Sequence, residues 1–218
     1  MVTRTHKKYV SLWRLQATGK GSLIVRLMMA CNDIRLANQC MQNYRRKDTP
    51  TERHLRRGAL MYFVRLQIGH LLEGLKVLED IDSNRDLFKS DLRDDLETQF
   101  DQLLASFRGQ PFRRYTEGAR DKTFHYSDSE VNKAITARIE KGSNLSGFTL
   151  SPEPELYRFD IADDIYDSML CRIVWNLPPD QDLGPNADKV LDEVWNIGAQ
   201  FLEFCERLVV PILRQCFA

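Results

Sequence analysis

The sequence predicts an all-α protein, an antiparallel helical bundle with four to five core helices and extra helices toward the C-terminus. Three observations lead there. Apolar residues recur near a period of 3.6 over long stretches. The breaks between those stretches carry Pro, Gly, Ser and Asn, as in KDTPTE, GSNLSG and NLPPDQDLGPN. Nowhere does a block of alternating apolar and polar residues suggest a sheet.

Residues 1–20 are polar with scattered aromatics, Tyr9 and Trp13, and read as a loosely held arm. A helix is expected from about Ser22 to Arg46, on the stripe Leu23, Leu27, Cys31, Ile34 and Asn38/Met41. After KDTPTE, with Thr49 or Thr51 as cap and Pro50 tolerated in a first turn, the longest helix runs from about Glu52 to Ile81. Its stripe is Leu60, Val64, Ile68, Leu71, Leu75 and Leu78. Gly69 and Gly74 lie inside it, each costing about 1 kcal/mol against alanine, which close approach by a neighbouring helix would offset. His70, beside the stripe, reads as structural.

A third helix is expected over about Arg85 to Phe107, on Leu92, Leu96, Phe100, Leu103 and Phe107, ended by Gly109 and Pro111. A shorter helical piece covers Phe112 to about Tyr126. Ser127 and Glu130 then form a capping box that opens a helix through Lys141. Residues 148–159, with Pro152 and Pro154, read as extended or looped, and a helix follows from about Asp160 to Trp175. The last helix spans about Ala187 to Gln215, on Leu191, Trp195, Phe201, Cys205, Leu208 and Ile212.

At 218 residues the chain suits a single domain able to bury a core without disulfides or metals. The apolar run SLIVRLMMA is too short to span a membrane, and Arg26 inside it argues against a signal peptide, so a cytoplasmic protein is expected. Cys31, Cys40, Cys171, Cys205 and Cys216 are odd in number and lack zinc-ligand spacing, which points to reduced thiols, mostly buried. The net charge is zero but unevenly spread. Residues 1–72 hold 14 basic and 3 acidic residues, 73–106 hold 4 and 10, 107–141 hold 8 and 5, and 142–218 hold 5 and 13. A basic first third fits a polyanionic partner. It equally fits a basic helix neutralised by acidic ones packed against it, and the zero total favours that. Arg45, Arg46 and Lys47, with Arg53, Arg56 and Arg57, flank a turn and could touch RNA phosphates, although such clusters are more often solvated helix ends.

One stretch carries candidate chemistry: GARDKTFHYSDSE, residues 118–130. In an unbroken helix Arg120 and His125, five apart, diverge by about 140°. Asp121 and His125 would share a face, as would Lys122 and Tyr126. A new helix starting at Ser127 puts His125 and Tyr126 at a bend, where Arg120 and His125 could converge within one subunit or meet across a dimer. These residue types suit phosphodiester cleavage without a metal. An imidazole with a pKa of about 6.5 can take the proton of a ribose 2′-OH or protonate the leaving oxygen. A guanidinium can hold phosphate oxygens while negative charge develops. Asp121 could orient the imidazole, Lys122 could contact the substrate, and Tyr126 could donate to phosphate or stack on a base.

The hexapeptide Arg120-Asp121-Lys122-Thr123-Phe124-His125, followed by Tyr126, resembles the signature of the HEPN superfamily (higher eukaryotes and prokaryotes nucleotide-binding domain). The resemblance covers residues 20–141, and residues 142–218 form a C-terminal extension to it. It implies a helical bundle that forms a homodimer and joins two motifs in one cleft. It implies a metal-independent endoribonuclease of a toxin or defence system, with Arg120 and His125 catalytic, Asp121 auxiliary, RNA as substrate and an antitoxin protein as partner. It equally implies, for relatives that have lost activity, a non-catalytic dimerisation or binding module. No cofactor is expected.

A competing constellation is FDIADDIYDSM, where Asp160, Asp163, Asp164 and Asp167 follow one helix face. Asp163, Asp164 and Asp167 match the DDxxD pattern of all-α terpenoid synthases, where carboxylates hold Mg²⁺ against a diphosphate. The chain is short for that fold and holds no second metal motif. A solvated acidic face opposing the basic N-terminal helices accounts for the same residues.

Overall fold

The structure, a computed structural model, describes residues 8–45, 50–93, 95–109, 112, 128–140, 162, 165, 169 and 183–217. Side chains are described for these except at 44–45, 50–61, 128, 130, 138 and 183–190. The fold is all-α. The helices with assigned bounds are α1 (Leu12–Ala17), α2 (Gly21–Arg45), α3 (Pro50–Ser83), α4 (Arg85–Phe88), α5 (Asp95–Arg108), α6 (Asp128–Glu140) and α7 (Leu183–Gln215). Among the described residues the one β-type contact is an isolated antiparallel bridge between Val10 and Phe217.

α2 and α3 share the largest interface in the described part of the molecule. They run antiparallel. Arg26 reaches Asp80 at 2.6 Å, whereas Asp33, further along α2, meets His70, further back along α3, at 3.5 Å. The expected stripes face each other: Leu27, Cys31, Ile34 and Met41 from α2, and Val64, Ile68, Leu71 and Leu78 from α3, are all buried. Leu23 and Leu75 are half-buried against the same core.

α7 packs on α2, α5 and α3. Against α5 it runs antiparallel through paired rings. Phe107 lies 6.1 Å from Phe201, and Phe100 lies 5.4 Å from Phe204, centroid to centroid. At Gly74, inside α3, an added Cβ would come within 2.8 Å of the Phe201 ring, so the missing side chain is what admits Phe201. This is the close approach expected for that glycine. At Gly198, inside α7, an added Cβ would come within 2.8 Å of Nε2 of the buried Gln67.

Three expectations need correction. The segment before α2 is not a loose arm over its described residues. Ser11 Oγ accepts from Arg14 N at 3.3 Å and caps α1, Leu15 is buried, and Ser11 N donates to the Cys216 carbonyl at 2.9 Å. Two chain ends that each bury little alone are thus stitched together. Gly19, at φ +72°, then reverses the chain into α2, a conformation that costs a glycine nothing.

The single third helix expected over 85–107 is instead α4 and α5, separated by a turn. Phe88 and Leu92 flank that turn and are both buried. Asp91 between them pairs with Lys20, whose ammonium lies 5.5 Å from the Phe88 ring centre. A tertiary ion pair, nearly enclosed on both sides, outweighs continuation of the helix. Finally, α7 begins at Leu183 rather than near Ala187, so Pro185 lies in its first turn, where no intrahelical N–H is needed.

The uneven charge resolves into ion pairs. Lys20, Arg26 and Arg35 of the basic first third pair with Asp91, Asp80 and Glu206. For these three cations the contacts are those of basic residues set against acidic partners; Arg46, Lys47 and the side chains of Arg45, Arg53, Arg56 and Arg57 lie outside the described residues. No helix among the described residues is long and apolar enough to cross a membrane.

Candidate functional site

The five residues singled out for chemistry, Arg120, Asp121, Lys122, His125 and Tyr126, lie outside the described residues. So do Asp160, Asp163, Asp164 and Asp167, together with Arg46, Lys47 and the side chains of Arg45, Arg53, Arg56 and Arg57. What the fold does define is the pair of anchors between which Arg120 and His125 fall. On the N-terminal side Phe112 is helical and buried, and its ring meets Phe107 edge-on at 4.8 Å. The row Phe112, Phe107, Phe201 therefore ties the start of this segment to the crossing of α5 and α7. On the C-terminal side α6 begins at Asp128, next to the expected cap at Ser127, and ends at Glu140 against an expected Lys141. Ala134 is buried at its centre, while Ile135 and Ile139 are exposed. A helix N-terminus leaves backbone N–H groups unpaired within the helix and carries a partial positive charge. In the stretch that holds Asp160 to Asp167, Ile165 is half-buried, and Met169 just beyond it is buried, both in helical conformation.

Two further constellations occur in the described part. The first centres on Arg85. Its Nε lies 2.9 Å from Asp82 Oδ1 and its Nη1 3.5 Å from Glu97 Oε1; Nη2 bonds to Asp101, and the guanidinium lies 5.1 Å from the Phe100 ring centre. Arg108 joins from the end of α5, 3.1 Å from Asp82 Oδ2 and 3.7 Å from Glu79 Oε1. The Asp101 hydrogen bond chiefly raises the Arg85 pKa, and Asp82 adds to it. Burial pushes the Asp82 carboxyl up, but hydrogen bonds from Arg85 and Arg108 outweigh it, and the pKa falls below its ordinary value. An adjoining groove of about 410 Å³ is lined by Arg85, Asp86, Lys89, Leu92, Arg93 and Glu97. Arg85 is thus committed to carboxylates, which suits a joint between α3, α4 and α5 better than a phosphate cradle.

The second is a pair of thiols, Cys31 of α2 and Cys205 of α7, which line one groove between the two helices. Cys31 lies on the core stripe of α2 and Cys205 on that of α7, so each was legible as buried. Their meeting was not, because 173 residues separate them in sequence and nothing local marks the pair. Cys40 is half-buried and Cys216 buried, and these four cysteines are free thiols. Cys171 lies outside the described residues. His70 is half-exposed beside Asp33, in keeping with a structural role. Among the described residues no three His, Cys, Asp or Glu side chains are grouped so as to hold a metal ion.

No family model, no curated protein and no solved structure matches the chain.

Proposed function

We propose that the chain is a HEPN-like metal-independent endoribonuclease. Arg120 and His125 are its catalytic pair, Asp121 orients the imidazole, and Lys122 and Tyr126 contact the RNA. The observation that carries the reading is the position of the motif: Arg120 to Tyr126 fall between a ring anchored on the core, Phe112, and a helix that opens at Asp128. The reading requires a bend between these anchors, because in a straight helix the two side chains would diverge by about 140°. The all-helical fold and the two long helices ahead of the motif accord with the reading. In the mechanism, His125 takes the proton of a ribose 2′-OH as that oxygen attacks the adjacent phosphate, and an imidazolium protonates the departing 5′ oxygen. Arg120 holds the phosphate oxygens as charge grows on them. The setting proposed is a toxin or defence system in the cytoplasm, with a homodimer as the working unit and an antitoxin protein as its partner.

A second reading, a non-catalytic dimerisation module, draws on α2. Its face opposite the core carries Val25, Met29 and Leu36, which share one side of the helix and are all exposed. Such a stripe suits the packing of a second copy of the chain whether or not the motif is active. The test is incubation with structured RNA in excess EDTA. EDTA-resistant cleavage by the native chain, lost in both His125→Ala and Arg120→Ala, supports the nuclease. A dimer without cleavage in any buffer supports the module. Cleavage or diphosphate turnover that requires Mg²⁺ and fails in Asp163→Ala would move the chemistry to the Asp160–Asp167 face.

A further inference from the structure

Where α2 and α7 pack together, Cys31 and Cys205 both line a groove of about 220 Å³, along with Met28, Arg35, Glu206 and Val209. The two thiols differ in access. Cys205 is 1% exposed and Cys31 7%, and the partly exposed ion pair of Arg35 and Glu206 lines the same groove. We propose that this pair is an oxidation site at which low-molecular-weight disulfides, of the glutathione type, convert two thiols into one bond between α2 and α7.

The chemistry balances in two exchange steps. The Cys31 thiolate attacks one sulfur of the small disulfide, forming a mixed disulfide and releasing one small thiolate, which takes up a proton. Cys205, on the same groove, loses its proton and attacks Cys31 Sγ. The Cys31–Cys205 bond forms, the mixed disulfide breaks and the second small thiol leaves. The protein loses two electrons and two protons, and the small disulfide gains them.

The environment assigns the roles. The hydrogen bond from Cys205 lowers the Cys31 pKa and Arg35 lowers it further, more than offsetting burial, so of the two sulfurs Cys31 is the better nucleophile. Burial, then the neighbouring Cys31, raises Cys205 well above the ordinary thiol value, which suits a group that reacts only after its neighbour has been activated. Free thiols in the resting chain and a disulfide under oxidant are two states of one site.

The test uses the full reduced chain treated with oxidised glutathione, quenched with acid and digested with trypsin without reduction. The expected product is residues 27–35 joined to residues 190–207, two hydrogens lighter than the separate peptides and carrying no glutathione. In Cys205→Ala the same treatment should leave glutathione on Cys31, and in Cys31→Ala both the adduct and the link should vanish. Native chain in which both peptides stay reduced, or in which Cys31 keeps its glutathione, would overturn the proposal. Mapping of the native chain decides the matter even where a substituted chain folds poorly.

Discussion

Asp82 shows how single residues hold this molecule at its joints. The carboxylate lies at the end of α3 and receives Arg85 at 2.9 Å and Arg108 at 3.1 Å. Its folded-state pKa is below the ordinary value of about 3.9, so the stabilisation it adds is present above that pH and lost as pH falls through the folded value. The side chain is 28% exposed, so solvent screening limits the effect to about 0.5–1 kcal/mol. Asp82→Asn should therefore unfold at a lower urea concentration than the native chain at pH 7, and the gap should narrow as pH is taken below about 3.9. A gap that stays constant as pH falls would contradict the ionic account. Lys20 is a case where chemistry at one residue redirects the backbone. Its pairing with Asp91 beside Phe88 explains why the helix expected over 85–107 breaks, and that pairing could not be read from a stripe of Leu and Phe.

Among the elements, legibility followed how local the cause was. α2, α3 and α7 were readable because each carries a sustained core stripe, with Leu27, Ile34, Ile68, Leu71, Phe201 and Leu208 all buried as their spacing required. α1 was not, because what orders it is the C-terminal end of the chain: Val10 bridges to Phe217 and Ser11 N bonds to the Cys216 carbonyl. A chain begun at Gly21 loses the burial of Leu15, worth about 1.5–3 kcal/mol. It should show a matching drop in stability, with faster amide exchange at the end of α7. Unchanged exchange at Cys216 and Phe217 would restore the loose arm.

The crossing of α3 and α7 is the sharper test of packing. Gly74→Ala gains about 1 kcal/mol in helix propensity. However, it drives a methyl against a fully buried ring, and overpacking of this kind costs about 1–3 kcal/mol. The net should be destabilising by up to about 2 kcal/mol, and Phe201→Leu should make the alanine easier to accommodate. A stabilised Gly74→Ala protein, measured by urea unfolding, would mean that the helices do not cross there.

For the whole molecule, the distribution of charge became a structure: a basic N-terminal third held by acidic partners from α3, the turn after α4, and α7. That use of Lys20, Arg26 and Arg35 takes these three out of the cations free to face a polyanion. The candidate chemistry was legible as residue types in a motif, because an arginine, a histidine and a capping box are local features. Convergence of Arg120 and His125 was not legible, since it depends on the direction the chain takes between Phe112 and α6. The Cys31–Cys205 contact was hidden for the same kind of reason, being set by the crossing of two helices from opposite ends of the sequence.

In the proposed mechanism His125 removes a ribose 2′ proton while Arg120 steadies the phosphate, with no metal in the step. Its most direct measurement compares one RNA with the same oligonucleotide bearing a 2′-deoxy sugar at the cleavage position, both in EDTA. The account predicts a cut in the RNA that leaves a 2′,3′-cyclic phosphate, no cut at the deoxy position, and at least about a hundredfold slower cleavage by His125→Ala. Equal cutting of both substrates, or a His125→Ala chain as fast as the native one, would contradict it.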